Sequence, residues 1–426
     1  MELVNHLPHP ALAFEGVDTG GVSFHVLVMR QTLSWDDTGQ LFSAEDQIGL
    51  CEEDEFFDPA LQGSVRQESD LCQYKPRCDV LVNGHAYAPL RQGQPAPQFL
   101  VRVLVQRPVG SEGDRVAAYG APPPALRLLD KSLQVHGQRT ITAAAAPVRA
   151  LRRAMLGLAG GSAWQLSAPR PLAVVPLRLE QAFGGECRSP VDGATPSPPH
   201  EAFAPNPVGC GWTREWFIRE AGVYRFAAPQ LEYPQQPYTA AVFAAALLSK
   251  PSDQAADLER LVAGLGVRPK GHPQRAALAG TIDERFVNSD AALPRDFDFA
   301  VWNAAWPDQQ TEHLQGDERI ALVNLCPAGT PGLRVDEHGN TVMWLALPGD
   351  RPFVLVRYAN GALGEVACVL DTLLIEPDER RVCAVWRLAL PKTPAVRVLE
   401  LRALTTAEVA DARGAGPGNA GGVADG

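Results

Sequence analysis

The chain has 426 residues, of which 46% are hydrophobic and 20% are charged, so it carries enough apolar material for a large core. This length accommodates two or three average domains, or one large β-rich domain. The 49 acidic and 38 basic residues leave a net charge of −11. That balance argues against a general nucleic-acid binder, which gains affinity by neutralising phosphates with Lys and Arg.

Strand-like segments recur along the whole chain. They are rich in β-branched and aromatic residues, are bounded by Gly, Pro and Asp turns, and show no regular alternation with helices. The predicted strands are 22–33, 99–106, 126–129, 132–135, 172–179, 320–325, 341–347, 353–358, 365–375, 381–388 and 395–401. Together they predict a mainly β fold of antiparallel, sandwich-like or barrel-like sheets with a few short helices.

The segment KPRCDVLVNGHAYAP, residues 75–89, carries the strongest local turn signal. Two strand-like runs, 79–82 and 85–88, flank Asn83 and Gly84. An Asn-Gly pair between such runs is typical of a type I′ β-hairpin, because that turn needs positive φ at both central residues. The sequence therefore predicts a hairpin here.

Polar side chains are concentrated in the same segment. Lys75, Arg77 and Asp79 alternate, so in a strand all three point to one face. Such a face is usually a solvated face or a local ladder of ion pairs; the functional interpretation is a polar docking edge in which Arg77 engages a carboxylate or the backbone of a partner. Catalysis is the third interpretation, because neither a nucleophile nor a base partner lies nearby in the sequence.

Helices are few in this reading. Apolar side chains fill the spacing i, i+3, i+4, i+7 at Leu258, Leu261, Val262 and Leu265, and Ser252 is a candidate cap. This pattern predicts one amphipathic helix. A second, basic helix is predicted over 147–158, with Arg153 on its polar side.

The domain organisation is read from composition. Residues 1–404 form a β-rich region, as one unit or as two packed β subdomains near 1–186 and 206–404. The segment 187–207, rich in Pro, Ser and Gly, would join the two. Residues 405–426 are rich in glycine and poor in bulky apolar residues, which predicts a disordered tail.

The cysteines and the longest apolar run indicate in which cellular compartment the protein is expected. Eight cysteines are scattered without a close pair, which disfavours both a zinc site and a disulfide framework and predicts reduced, buried thiols. The amino terminus lacks the basic start of a signal peptide. The longest apolar run, 239–248, is too short to span a membrane. We therefore expect a cytoplasmic protein with no membrane partner.

Standard catalytic signatures do not appear in the sequence. It contains no GxSxG elbow, no phosphate-binding P-loop and no HExxH motif. The histidines are isolated, and the acidic residues resemble solvated surface groups. A hydrolase that uses Asp or Glu side chains together with His85 is kept as an alternative, but we predict no catalytic, cofactor or metal site.

Several segments resemble domain-of-unknown-function family 2169, found in bacterial type VI secretion clusters. KPRCDVLVNGHAYAP resembles the signature of that family. Further resemblances follow in the same order: SLQVHGQR at 132–139, PLRLEQAFGGE at 176–186, NPVGCGW at 206–212, LPRDFDFAVWNAAWPDQQ at 293–310, GDERIALVNL at 316–325 and LDTLLIEPDERRVCAVWR at 370–387. The resemblance covers roughly residues 2–402, and the chain departs from the pattern by inserts between 139 and 176 and between 250 and 271.

The resemblance implies an adaptor or chaperone that binds a toxic effector protein and helps to load it onto the PAAR–VgrG spike. On this reading the partners are proteins and no cofactor is needed. The candidate partner-binding residues are Lys75, Arg77, Asp79, His85, Tyr87 and Arg153. The alternatives are the hydrolase and a structural or secreted component of the secretion machinery.

Overall fold

The computed structural model describes residues 1–58, 60, 63–89, 95–109, 125–143, 163–189, 200–248 and 258–404. In these ranges the chain is mainly β and most strand pairs are antiparallel, so the predicted fold class is confirmed. The described α-helices are Glu215–Ala221, Ala240–Leu248, Pro273–Ala276 and Glu284–Val287. Described 3-10 turns are Leu179–Gln181, Ala277–Ala279, Phe299–Trp302, Pro307–Gln309 and Pro377–Glu379.

The largest sheet, called the central sheet below, joins strands from both ends of the chain. In spatial order its strands are Ala11–Val17, Ser23–Trp35, Arg381–Pro391, Val369–Glu376, Cys78–Val82 and Gln310–Thr311, with Leu41–Ser43 paired to Ser23–Trp35. Most residues of Ser23–Trp35 are buried on both faces of the strand. The central sheet is therefore covered on both sides, which explains its nearly continuous apolar runs.

The six-stranded sheet, called the second sheet, has one buried and one outer face. Its strands in spatial order are Leu231–Glu232, Ala125–His136, Gln98–Pro108, Arg319–Val323, Thr341–Ala346 and Arg334–Val335. The alternation along Gln98–Pro108 sends Val101, Val103 and Val105 into the core, where each is fully buried. The intervening side chains lie on the outer face.

The four-stranded sheet, called the terminal sheet, brings the chain ends together. Its strands in order are Glu2–Asn5, Val396–Leu404, Arg351–Tyr358 and Leu363–Ala367. Glu2–Asn5 runs parallel to Val396–Leu404, with Glu2 opposite Val398. Apolar side chains of the central, second and terminal sheets form one main core, which includes Met29, Val103, Leu322, Leu345, Val354, Ile375 and Leu399.

Smaller sheets surround a second, aromatic core. They are the three-stranded sheet Trp164–Leu166, Thr140–Ala143 and Arg225–Ala227, and the pairs Phe183–Gly184 with Cys210–Gly211 and Glu186–Arg188 with His200–Ala202. This core contains Trp164, Phe183, Phe203, Trp212, Tyr238 and Phe243. The remaining pairs are Val174–Pro176 with His85–Tyr87, and Glu55–Phe56 with Val65–Gln67.

The predicted strands are largely found, with three changes of extent. Segments 126–129 and 132–135 belong to the single strand Ala125–His136, which carries a bulge between Arg127 and Leu129. Its charges are paired: Asp130 with Arg102 on the outer face and the buried Lys131 with Asp308. Segment 172–179 shortens to a three-residue strand, and segment 365–375 divides at Cys368 into strands of two different sheets.

The helix predicted around Leu258 does not extend to Leu265. The helical conformation stops after Glu259, and the chain then turns, with the Leu261 N–H donating to Leu258 O at 3.0 Å. Leu265 lies beside the central sheet, where its carbonyl accepts a hydrogen bond from Val82 N at 2.8 Å. Burial against a sheet has overridden a helical spacing. Ser252, the predicted helix 147–158 and the predicted tail 405–426 lie outside the described residues.

The division near residues 187–207 does not coincide with a boundary between sheets. Ser23–Trp35 pairs with Arg381–Pro391, and Gln98–Pro108 pairs with Arg319–Val323. The two cores do not follow the predicted division near 187–207 either. The aromatic core is built from residues between 141 and 262 together with Trp306. All eight cysteines are unpaired and seven are buried, as expected.

The predicted hairpin at Asn83 and Gly84 is also wrong. Cys78–Val82 pairs with two other strands of the central sheet, and His85–Tyr87 pairs with Val174–Pro176 in a separate two-stranded sheet. Gly84 has φ of 155°, and Asn83 is not among the residues with positive φ, so the turn is not type I′. Asn-Gly here is a corner at which the chain passes from one sheet to another.

We predict that Gly84→Val lowers thermal stability and soluble yield. A Cβ at this position would lie 3.2 Å from Asp378 Oδ2 and would adopt a φ that side-chain-bearing residues avoid. Strain of this kind costs about 1–3 kcal/mol. The control is Gly49→Val, because a Cβ there meets nothing within 4 Å. Equal melting temperatures for Gly84→Val and the wild type would contradict the strained corner.

Candidate functional site

The structure separates the polar side chains that the sequence placed on one face. Lys75 and Asp79 are buried, and Lys75 Nζ lies 2.9 Å from Asp79 Oδ2 and 2.8 Å from Thr372 Oγ1. Arg77 is exposed and donates to Gln310 O at 3.2 Å. The common exposed face is therefore wrong, because the strand begins only at Cys78. Of these three side chains, only Arg77 is open to a partner.

The Asp79 carboxylate holds a distant segment against the central sheet. Besides Lys75, it accepts hydrogen bonds from Asn303 Nδ2 at 3.0 Å, Ala304 N at 2.9 Å and Ala305 N at 3.2 Å. Burial alone would lower the pKa of Lys75, but the adjacent Asp79 carboxylate raises it above its ordinary value. Lys75 therefore stays charged, and the pair is a structural ion pair.

Further ion pairs continue this layer on the same side of the central sheet. Closest contacts between the charged groups are 2.6 Å in Arg387–Asp371, 3.0 Å in Arg30–Asp70 and 2.6 Å in Arg275–Glu68. The space that Arg30, Lys75 and their neighbours enclose is only about 20 Å³. A cavity of that size holds roughly one water molecule. We conclude that this charged layer is part of the internal framework.

The segment that follows Ala305 connects the central sheet to the second sheet. Gln309 Nε2 donates to Val80 O at 2.6 Å, and Asp308 Oδ1 lies 2.7 Å from Lys131 Nζ. Burial lowers the pKa of Lys131 to about 8, although Asp308 opposes that shift. Lys131 also lies over the rings of Tyr233 and Trp306, at 5.4 and 5.8 Å from their centroids.

His85 and Tyr87 meet on the surface around one carboxylate. Asp378 Oδ2 lies 2.7 Å from His85 Nδ1, and Asp378 Oδ1 accepts from the Tyr87 hydroxyl at 2.6 Å. Burial and the Asp378 carboxylate raise the pKa of Tyr87. Cys326 is buried, and burial together with Asp378 raises the pKa of its thiol to about 12, so it stays protonated. The cluster is a hydrogen-bonded surface feature beside the Gly84 corner. Arg153 lies outside the described residues.

The outer face of the second sheet carries an exposed tryptophan between arginines. Trp344 is 42% exposed, although it lies within the strand Thr341–Ala346. Arg319 is opposite Ala346 and Arg334 is opposite Val342, so both share the face of Trp344. Both arginines are exposed, and within the described ranges no carboxylate lies within 4 Å of either. We call this surface the Trp344 face.

A groove lies where two glycine-rich motifs meet beside the aromatic core. Phe183–Gly184 pairs in parallel with Cys210–Gly211, and the buried Asn206 side chain donates to Phe183 O at 3.0 Å. A Cβ on Gly209 would lie 2.7 Å from Ala182 O, so only glycine permits this approach. The groove is about 430 Å³, and its walls include Gly185, Pro207, Gly209, Trp212, Phe226 and Ala227. We call it the glycine groove.

These features define a mainly β protein with several antiparallel sheets, an ionic internal framework and two separate exposed surfaces. The chain belongs to the family DUF2169, described as an uncharacterized protein conserved in bacteria. The model of this family matches residues 20–387. No curated protein and no solved structure matches the chain. Among the described helices, none is long and apolar enough to cross a membrane.

The sequence analysis predicted neither the Trp344 face nor the glycine groove. Trp344 sits in an apolar strand whose pattern, TVMWLA, does not tell which face is covered. The glycine groove needs residues 183–185 and 206–212 to pair, and a parallel two-residue contact leaves no periodic signal. The motifs AFGG and NPVGCGW were the available signal, since several close glycines mark close backbone approach.

We predict that Asp79→Asn destabilises the protein by about 3–5 kcal/mol, because it leaves the Lys75 ammonium buried without a counter-charge. The double variant Lys75→Met/Asp79→Asn should recover part of that loss. Asp130→Asn is the control, since the Asp130–Arg102 pair is partly exposed and worth at most about 1 kcal/mol. Chemical denaturation measures all three free energies of unfolding. Equal losses for Asp79→Asn and Asp130→Asn would contradict the structural role of Asp79.

Proposed function

We propose that this protein is an adaptor or chaperone that binds a type VI secretion effector and helps to load it onto the PAAR–VgrG spike. The chain belongs to the DUF2169 family, and the resemblance of its motifs to proteins of type VI secretion clusters motivates the proposed setting. The observation that carries a protein-binding role is the Trp344 face. The proposal places the protein in the cytoplasm, without enzymatic activity, with protein partners only.

The Trp344 face has the composition that protein interfaces favour. Tryptophan and arginine are the residue types most enriched among those that dominate binding energy. Trp344 offers a large apolar surface at the centre, and Val323 and Val342 are half-buried beside it. Arg319 and Arg334 add positive charge to a chain whose net charge is −11. A partner with an apolar centre and acidic edges is complementary to this face.

The internal framework suits a carrier that must keep its own shape while it holds a less stable protein. The ion pairs Lys75–Asp79, Arg30–Asp70 and Arg387–Asp371 connect strands and loops distant in sequence. Truncating one partner of a buried pair is costly. The surfaces for partners are therefore displayed on a sheet that has little freedom to rearrange.

We predict that Trp344→Ala weakens the complex with its protein partner by about thirtyfold, which corresponds to about 2 kcal/mol for a central interface residue. The charge reversal Arg319→Glu/Arg334→Glu should weaken it as well and should reduce its salt dependence. Pull-down of co-expressed effector and spike proteins gives the readout. Leu363→Ala is the control, because Leu363 is 70% exposed on a different sheet.

The melting temperatures of all these variants should stay within a few degrees of the wild type, since the substituted side chains are exposed. If Trp344→Ala and Arg319→Glu/Arg334→Glu bind effector and spike as tightly as the wild type, the Trp344 face is not the interface.

We predict that co-expression with this protein raises the soluble level of the toxin encoded beside it. A partner that binds only the folded effector stabilises it by mass action, by about 2.7 kcal/mol at a hundredfold excess over Kd. The measurements are effector half-life in cells and secreted effector, with and without the gene. Equal abundance and equal secretion after deletion of the gene would rule out the adaptor function. Arg77→Ala belongs to the same series, as an exposed residue with a predicted binding role.

A further inference from the structure

Residues 281–293 form a protruding segment, called the arm below. Every residue from 281 to 292 is exposed except Phe286, which is half-buried. The base of the arm is closed by Asp296, which accepts hydrogen bonds from Thr281 N at 2.9 Å and from the Thr281 hydroxyl at 2.7 Å. A surface loop whose ends are held together in this way is frequently functional.

Hydrogen bonds within the arm keep it in one shape. Its helix is Glu284–Val287, and the Asp283 carboxylate caps this helix by accepting from Phe286 N at 2.9 Å. Val287 N donates to Asp283 O at 3.0 Å, and the Ser289 hydroxyl donates to Phe286 O at 2.8 Å. A segment that is already ordered loses little conformational entropy when it binds another surface.

The arm presents apolar side chains to solvent together with acidic charge. Ile282 is 71% exposed and Val287 is 68% exposed. They hold the two positions of a hydrophobic staple at the start of the helix, which lie close together. The charged side chains of the arm are Asp283, Glu284, Arg285 and Asp290, three acids and one base. All three carboxylates are exposed, and in the part of the chain that the structure describes none of them forms an ion pair.

The Trp344 face has the complementary character. Arg319 and Arg334 lie on either side of Trp344, because their strands flank Thr341–Ala346 in the second sheet. The face is therefore apolar at its centre and basic at its edges, whereas the arm is apolar and acidic. Within one chain the arm leaves this face uncovered, since Trp344 and Val287 are both exposed.

We infer that the arm of one copy of this protein binds the Trp344 face of a second copy. Ile282 and Val287 would pack against Trp344, and the acids of the arm would lie near Arg319 and Arg334. A second copy is the occupant that the observations favour, because this chain itself carries both complementary surfaces. The contact is heterologous, so two copies satisfy each other when each arm reaches the other's face, and otherwise rings or chains form.

This contact would occupy the surface that the proposed function assigns to a protein partner. Free copies would cover one another's Trp344 face, and the partner would displace the arm when it binds. The apparent affinity for the partner then falls with the fraction of copies whose face is covered. This regulatory consequence rests on the proposed function, whereas the contact between copies does not.

The test exchanges charges in the purified full chain. The face variant is Arg319→Glu/Arg334→Glu and the arm variant is Glu284→Lys/Asp290→Lys, all at exposed residues. In sedimentation velocity the wild type should associate as its concentration rises, and less so at high salt, which screens surface charges. Each variant alone should be monomeric, because its arm and its face carry charge of the same sign. The equimolar mixture of the two variants should associate.

The apolar half of the contact is tested by Val287→Ser. The matched control is Val22→Ser, because Val22 is 64% exposed and lies outside both the arm and the Trp344 face. Val287→Ser should raise the dissociation constant between copies about tenfold, as expected for a valine that is buried on binding, and Val22→Ser should leave it unchanged. Circular dichroism melting checks that all variants fold. Val287→Ser should also capture more co-expressed toxin than the wild type, since its Trp344 face is free more often.

A wild type that stays monomeric at every concentration overturns the inference, and so does a mixture of the face and arm variants that fails to associate. Association that Val287→Ser and both charge variants leave unchanged overturns it as well, because another surface then joins the copies. If copies associate as expected but capture no toxin, the proposed function is wrong and the contact between copies stands.

Discussion

The buried carboxylate of Asp79 is the interaction on which the arrangement of the sheets depends. A charge in the interior is tolerated only when it is paired and hydrogen-bonded. Asp79 receives one ammonium group, one side-chain amide and two main-chain N–H groups, from Lys75 and from residues 303–305. These donors hold the chain just before the strand and a segment distant in sequence, because each must remain in place for the charge to stay satisfied.

The segment that Asp79 holds also contacts both cores. Gln309 donates to main-chain carbonyls of Val80 and Leu265, which anchors the following segment on the central sheet. Lys131, in the second sheet, meets Asp308, and Trp306 packs in the aromatic core. One short segment thus contacts the central sheet, the second sheet and the aromatic core. Its polar side chains align the three units, and the apolar burial around them supplies most of the stability.

The exposed surfaces described above lie away from this framework. The Trp344 face is the outer side of the second sheet. The inner side of that sheet packs in the main core, and this packing holds the outer side in place. The glycine groove lies at the edge of the smaller sheets around the aromatic core. His85 and Tyr87, beside Asp378, and Arg77, beside Gln310, remain candidates elsewhere on the surface.

The sequence by itself determined the fold class, most strand positions, the burial of the cysteines and the family. These follow from local patterns, since strand-forming residues, turn residues and alternation act over a few positions. Tertiary structure decided the rest. It turned Asn83-Gly84 from a hairpin into a corner, buried Lys75 and Asp79 while leaving Arg77 outside, and exposed Trp344. The physical reason is that burial depends on which distant segment covers a strand, and contacts such as Asp79 with residues 303–305 leave no periodic trace in the chain.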